Sequence, residues 1–207
     1  MPFTSGTTDP DREPVPLTVW TTRAQGDEPF SEDILGRVLD AYSRRGDLVL
    51  STTTVPPVVA DRCITAGRRH RTVNTTADVD ILTGRRRDAA ALIVELHTST
   101  ASRTVRAAVY SRLAALLRPA GILLIGLPRS IPGGGDPLTD TVAAARSAGL
   151  TYTQHLLTVR IPLPDGFLTP PADWDPADDP TLPTPMPPLR AHADIAVFTR
   201  PAVRSSR

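Results

Sequence analysis

The sequence has no lysine; all 23 basic residues are arginine. GC-biased codon usage is the plain reason for this. The absence excludes phosphate-loop NTPase chemistry, which needs a lysine on the phosphates. It also excludes a Schiff-base lysine, that of pyridoxal phosphate chemistry included. Cys63 is the one cysteine, so an internal disulfide and a cysteine-rich zinc site are both ruled out. The four histidines (His70, His97, His155, His192) lie far apart and lack the helical two-histidine spacing of a metal site. No metal is expected. No apolar run reaches the roughly 18 residues of a membrane span. The N-terminus lacks the apolar core of a signal peptide. No membrane association and a cytoplasmic location are the expectations. A formal net charge of +1 leaves no global attraction to nucleic acid or lipid.

What is present suits a globule. The chain has 207 residues, 40% hydrophobic and 22% charged. A chain of this length buries roughly 70% of its unfolded surface without staples. Residues 1–16 are polar and Pro-rich and read as a flexible arm, 17–201 as a single domain, and 202–207 as a tail. Leu17–Thr21 fits a short strand. Ser31 fits an N-cap, with Glu32 and Asp33 in the first turn of a helix. Ile34, Leu35, Val38, Leu39 and Tyr42 recur at helical spacing, and Gly46 is the stop. Asp47–Ser51 reads as a buried strand, Val58–Ala66 as a short helix, and Arg71–Asn74 and Val79–Thr83 as further strands. Ala90–Leu96 is the strongest strand signal. Thr104–Leu117 is an amphipathic helix with Val105, Ala108, Val109, Leu113, Leu116 and Leu117 on its apolar side. Ile122–Leu127 is a strand, Leu138–Ala148 a helix, and Tyr152–Ile161 and Ala193–Thr199 the last two strands. Ten prolines make Pro162–Pro188 a loop; the whole Pro-rich connection spans 162–191.

Alternating helices and strands imply parallel pairing in a doubly wound α/β sheet. The last two strands have no helix between them, so they pair as an antiparallel hairpin. The order resembles the class I S-adenosylmethionine-dependent methyltransferase fold: a Rossmann-like, mostly parallel seven-stranded sheet with a terminal antiparallel hairpin. The likeness sharpens in PFSEDILGRVLDAYSRRGDLVL and VVADRCITAGRRHRTV, which are similar to the segment of DNA N4-cytosine and N6-adenine methyltransferases that leads into their cofactor loop. LAALLRPAGILLIGLP, AAARSAGLTYTQHLLTVRIP and HADIAVFTRP are similar to that family's later helices and strands. The resemblance runs from Pro29 to Pro201.

The resemblance implies S-adenosyl-L-methionine as cofactor, held by Ser51, Thr52, Thr53 and Thr54, with Asn74 toward the ribose. The sequence departs from the family there. The loop Ser51–Pro57 has no glycine, and its two prolines lack N–H donors. In place of the family's acid/amide-Pro-Pro-aromatic motif stand Glu95-Leu96-His97-Thr98-Ser99-Thr100. Glu95 and His97 are the catalytic candidates: Glu95 could accept an amine hydrogen bond, and His97 could stack on a flipped base. Two arginine clusters suit DNA phosphate contact: Arg68, Arg69 and Arg71, and Arg85, Arg86 and Arg87.

Three functional readings follow. The first is a methyltransferase homologue that is catalytically impaired or inactive, a pseudoenzyme binding nucleic acid or a homo- or hetero-oligomeric protein partner. The second is an active S-adenosylmethionine-dependent methyltransferase with a divergent site, a DNA methylase or one with another acceptor. The third is a scaffold that captures partners through the Pro-rich loop.

Overall fold

A computed structural model describes residues 15–22, 29–74, 89–97, 102–127, 136–160 and 192–202. The described residues form seven strands: β1 (Leu17–Thr22), β2 (Leu48–Thr52), β3 (Arg69–Val73), β4 (Ala90–Leu96), β5 (Leu117–Gly126), β6 (Thr151–Arg160) and β7 (His192–Thr199). The described residues also form four helices: α1 (Glu32–Tyr42), α2 (Val58–Thr65), α3 (Arg103–Leu116) and α4 (Pro137–Ser147). The sheet order is β1-β6-β7-β5-β4-β2-β3. Only β7 runs against its neighbours, β5 and β6. The expected doubly wound, mostly parallel seven-stranded sheet with a terminal antiparallel hairpin is therefore present.

Two apolar layers flank the sheet. One face carries Val49, Leu92, Val94 and Leu124 against Ile34, Leu35, Val38 and Leu39 of α1 and Val59 and Cys63 of α2. The other carries Leu50, Ile93, Leu123 and Ile125 against Tyr110 and Leu113 of α3 and Ala144 and Ala145 of α4. Strand alternation assigns each residue its face, so β2 and β4, covered on both sides, read as near-continuous apolar runs. Cys63 is buried, and desolvation pushes its thiol up to about 11, which makes it inert.

Several elements differ from their sequence expectations. The seventh strand is β1, which pairs in parallel with β6 at the sheet edge. The expected strand Val79–Thr83 and the Pro-rich connection lie outside the described residues. β3 starts at Arg69, two residues earlier than expected. Ser31 precedes α1, but its hydroxyl donates to Asp33 Oδ1 at 2.6 Å and caps no helix N–H. Val105 and Ala108 face solvent on α3, where the buried side is Tyr110, Leu113, Ala114 and Leu116. The helix turns so that Tyr110 meets the sheet, and a reading that set polar atoms outside shifts its apolar side by a turn. Gly46, Gly67 and Gly149 take left-handed backbone after their helices. Ala120 takes the same conformation (φ 59°) in the turn where the resembling family carries glycine. No described helix is long and apolar enough to cross a membrane.

Candidate functional site

The chain leaves β2 through α2 to β3 on one side, then returns to β4 on the other side of β2. Strand order reverses there, and ligands of doubly wound sheets bind in the crevice beyond the carboxyl ends at such a point. Ser51 and Thr52 end β2, Glu95 and Leu96 end β4, and His97 follows directly. The sequence candidates for cofactor and catalysis thus converge on one edge. Asn74, exposed, follows β3 at the same edge.

Part of the donor capacity of the loop after β2 is absent or already used. Pro56 and Pro57 carry no N–H. The N–H groups of Val55, Val59 and Ala60 are spent on the carbonyls of Thr52, Pro56 and Pro57. Val55 turns its side chain into the core. Ser51 is buried, and its hydroxyl pairs with His70 Nε2 at 2.9 Å on the neighbouring strand. Burial lowers the His70 pKa, so the pair is neutral. Thr52 is buried with its hydroxyl 2.8 Å from that of Thr54. Thr53 and Thr54 are exposed.

Glu95 and His97 point, by alternation, to the face covered by α3 and α4. Both are buried. Desolvation pushes the Glu95 carboxyl up to about 7, with the Thr52 hydroxyl beside it pulling the other way. His97 Nδ1 lies 3.3 Å from the Tyr110 hydroxyl, and its Nε2 lies 3.3 Å from Arg106 Nη1. The His97 N–H donates to the Gly126 carbonyl at 2.8 Å. Arg106 continues to Asp140 of α4 at 3.4 Å, and Arg103 reaches the same carboxylate at 2.8 Å. Arg103's hydrogen bond heads the causes that hold the Asp140 pKa low. Tyr110, itself buried, is pushed up to about 12, mainly by desolvation.

Sequence reasoning missed Tyr110, Arg106, Asp140 and Thr141. The available signal was Arg103, Arg106 and Tyr110 at helical spacing, polar groups on the face that α3 turns to the sheet. It also missed the packing of Phe30 across β5. A Cβ on Gly126 would stand 2.7 Å from Phe30 Cε2 and 3.0 Å from Pro29 Cβ, so this strand end admits only glycine.

The arginines divide. Arg68 is turned inward, its side chain 7% exposed. Its guanidinium donates to Ser43 Oγ (2.8 Å) and to the carbonyls of Leu39 (2.9 Å), Ser43 (3.1 Å) and Ala66 (3.1 Å). It also reaches Asp40 at 3.3 Å. Arg69 and Arg71 are exposed on β3, Arg69 with a bond to the Gly46 carbonyl. Arg85, Arg86 and Arg87 lie outside the described residues. His155 sits in the terminal hairpin, bonded to Asp194 at 2.8 Å.

No protein-family model matches the chain, and no curated protein does. Among solved structures, the chain is similar to a candidate methyltransferase from Thermoplasma acidophilum: 16% identity, 92% of this chain and 84% of that one, TM-score 0.46. It is also similar to the release factor-specific protein-(glutamine-N5) methyltransferase from Alicyclobacillus acidocaldarius: 13% identity, 82% and 91% covered, TM-score 0.45. A third is a candidate sarcosine dimethylglycine methyltransferase from Galdieria sulphuraria: 13% identity, 61% of this chain covered, TM-score 0.45. The chain spans 63% of the length of that structure. These likenesses concern the fold. The strand order and the reversed β7 are those of a Rossmann-like, class I methyltransferase-like sheet.

Proposed function

We propose that this chain is a methyltransferase-like domain that has lost methyl transfer and serves as a nucleic-acid binding module. The observation that supports it is the loop after β2. A cofactor carboxylate at this edge is held by free backbone donors at a helix N-terminus. Here two positions have none, and three more have spent theirs within the loop and first turn. The Ser51 hydroxyl is committed to His70. These residues do not fit S-adenosylmethionine. Titration calorimetry of the purified protein with S-adenosylmethionine and with S-adenosylhomocysteine is expected to give no binding heat up to millimolar ligand. Micromolar binding, followed by transfer of a labelled methyl group to DNA, would overturn the reading in favour of an active enzyme with Glu95 or His97 at the acceptor.

The binding role rests on the exposed Arg69 and Arg71 of β3, with Arg85–Arg87 further along the chain. Each arginine that neutralises a phosphate releases counterions, so affinity falls with salt by about 0.9 log units per log unit for each contact. Replacing Arg69 and Arg71 together by alanine is expected to weaken binding to a fluorescent duplex several-fold. It should also reduce the salt slope by roughly 2. An unchanged slope removes β3 from the interface. If wild-type protein fails to bind duplex at low salt but co-purifies stoichiometrically with a protein, the module serves a protein partner instead.

A further inference from the structure

The described charges are sorted along the strand axis. Helices that join parallel strands run back against them. Helix starts therefore share the carboxyl edge with Glu95, and helix ends lie at the opposite, amino edge. Glu32 and Asp33 open α1, Asp136 and Asp140 stand at the start of α4, and Asp194 lies near the start of the reversed β7. Arg103 and Arg106 at that carboxyl edge are both paired with Asp140. The amino edge is the reverse. Arg44 and Arg45 follow α1, Arg69 opens β3, and Arg118 lies near the start of β5. All four are exposed.

These four surround one turn. Asp47 accepts from the Arg44 N–H at 2.9 Å and from Arg118 Nη1 at 2.9 Å. Arg69 donates its Nε–H to the Gly46 carbonyl at 3.3 Å. Arg45 lies across Gly67, where a Cβ would stand 3.0 Å from Arg45 Nε. The acids beside them among the described residues are Asp47, whose side chain is 16% exposed, and Asp40, which faces Arg68. Cations are favourable at helix ends, but Arg68 already serves the ends of α1 and α2, so the dipole does not account for Arg44 and Arg45. We propose that duplex DNA docks by its phosphates on this amino edge. Guanidinium binds phosphate in a bidentate way. No described aromatic ring is exposed, so the edge lacks the stacking platform that single strands use. Such docking rests on the nucleic-acid reading above and adds where the duplex sits: at the far end of the strands from Glu95 and His97, with contact to the backbone and not to base edges.

The test uses the full chain and fluorescent duplexes of two unrelated sequences, titrated between roughly 50 and 200 mM salt. Arg44→Gln combined with Arg45→Gln keeps the side-chain stems and removes two charges. It is expected to weaken both duplexes roughly fivefold or more and to reduce the salt slope by roughly 2. Arg37→Gln combined with Arg62→Gln makes the same charge change on exposed positions of α1 and α2. Its affinity is expected to stay within about twofold of wild type, because those charges lie off the contacted edge. The two duplexes should bind alike, and either strand alone more weakly. A wild-type protein that binds neither duplex at low salt overturns the nucleic-acid reading and the docking edge with it. Duplex binding whose salt slope is the same in wild type and the Arg44/Arg45 double variant overturns the edge alone. So does a slope that falls equally in the Arg37/Arg62 double variant, tighter binding of a single strand, or a strong preference between the two sequences.

Discussion

Replacing Arg68 by methionine is expected to lower folding stability by about 2–4 kcal/mol, the span of one or two lost hydrogen bonds to a charged group. The geometry explains the size. The last carbonyls of a helix have no partner within it and must find one outside. Arg68 supplies donors to Leu39 and Ser43 at the end of α1, to Ala66 at the end of α2, and to the Ser43 hydroxyl. One planar fork therefore ties two helix ends together, and its positive charge sits where the helix dipole is negative. Methionine fills the space but removes the donor from the Ser43 and Ala66 carbonyls and the Ser43 hydroxyl, while the Leu39 carbonyl keeps the Ser43 N–H and hydroxyl. Lysine, with a point charge and no fork, is expected to recover only part of the loss. Urea unfolding measures all three proteins. Alanine at the exposed Arg69 or Arg71 is expected to stay within about 0.5 kcal/mol of wild type, as for most surface sites. An Arg68→Met protein as stable as wild type removes the clamp from the energetics. Because Arg68 faces inward, the folded Arg68→Met protein should bind duplex with wild-type salt slope, unlike the Arg69 and Arg71 double variant.

That division marks where the sequence stops being readable. Arg68, Arg69 and Arg71 look alike in one basic run, yet the fold buries the first and exposes the other two. Only the position of Arg68, directly after the Gly67 turn that brings the end of α2 beside the end of α1, separates them. The central strands were legible because burial on both faces demands the apolar runs of Leu48–Leu50 and Ala90–Val94. β3 was harder. Arg69, His70, Arg71 and Thr72 make four polar positions of five, and their strand is fixed by pairing with β2, not by local pattern. The place of β1 was not legible either. Its pairing with β6 is held by distant groups: Gln154 donates to the Thr18 hydroxyl at 2.7 Å and accepts from the Tyr42 hydroxyl at 2.6 Å. At the site, topology made Ser51, Thr52, Glu95 and His97 neighbours of one crevice, as their strand ends implied. The groups that complete it come from α3 and α4, whose polar residues a search for amphipathic faces assigns to solvent.

Glu95 gives the second large effect, and its sign follows from the direction in which burial moves its pKa. The folded carboxyl titrates at about 7, against an ordinary value of 4.5. Between those limits the native state holds a proton that the unfolded chain has released. Stability contributed by this group is complete below pH 4.5 and is lost as pH rises through 7. The loss amounts to roughly 3 kcal/mol, because each pH unit separating the folded and unfolded values is worth about 1.4 kcal/mol. Glu95→Gln mimics the protonated form at every pH. Its stability is expected to match wild type near pH 4.5 and to exceed it by roughly 3 kcal/mol at pH 8. His70 acts in the opposite direction: its lowered pKa makes stability grow as pH rises through 6.5. Asp33, Asp136 and Asp140, all lowered from 3.8, act below the window. None of these changes between the two proteins, so the difference between their pH profiles isolates Glu95. Urea unfolding at pH 4.5, 6 and 8 supplies it. Parallel profiles would mean that Glu95, buried with its Oε2 unpartnered, ionises in the fold at no cost, and would overturn the prediction. Diverging profiles would place a carboxyl that changes charge near neutrality at the mouth of the central strands, where a bound N–H donor would select its ionised form.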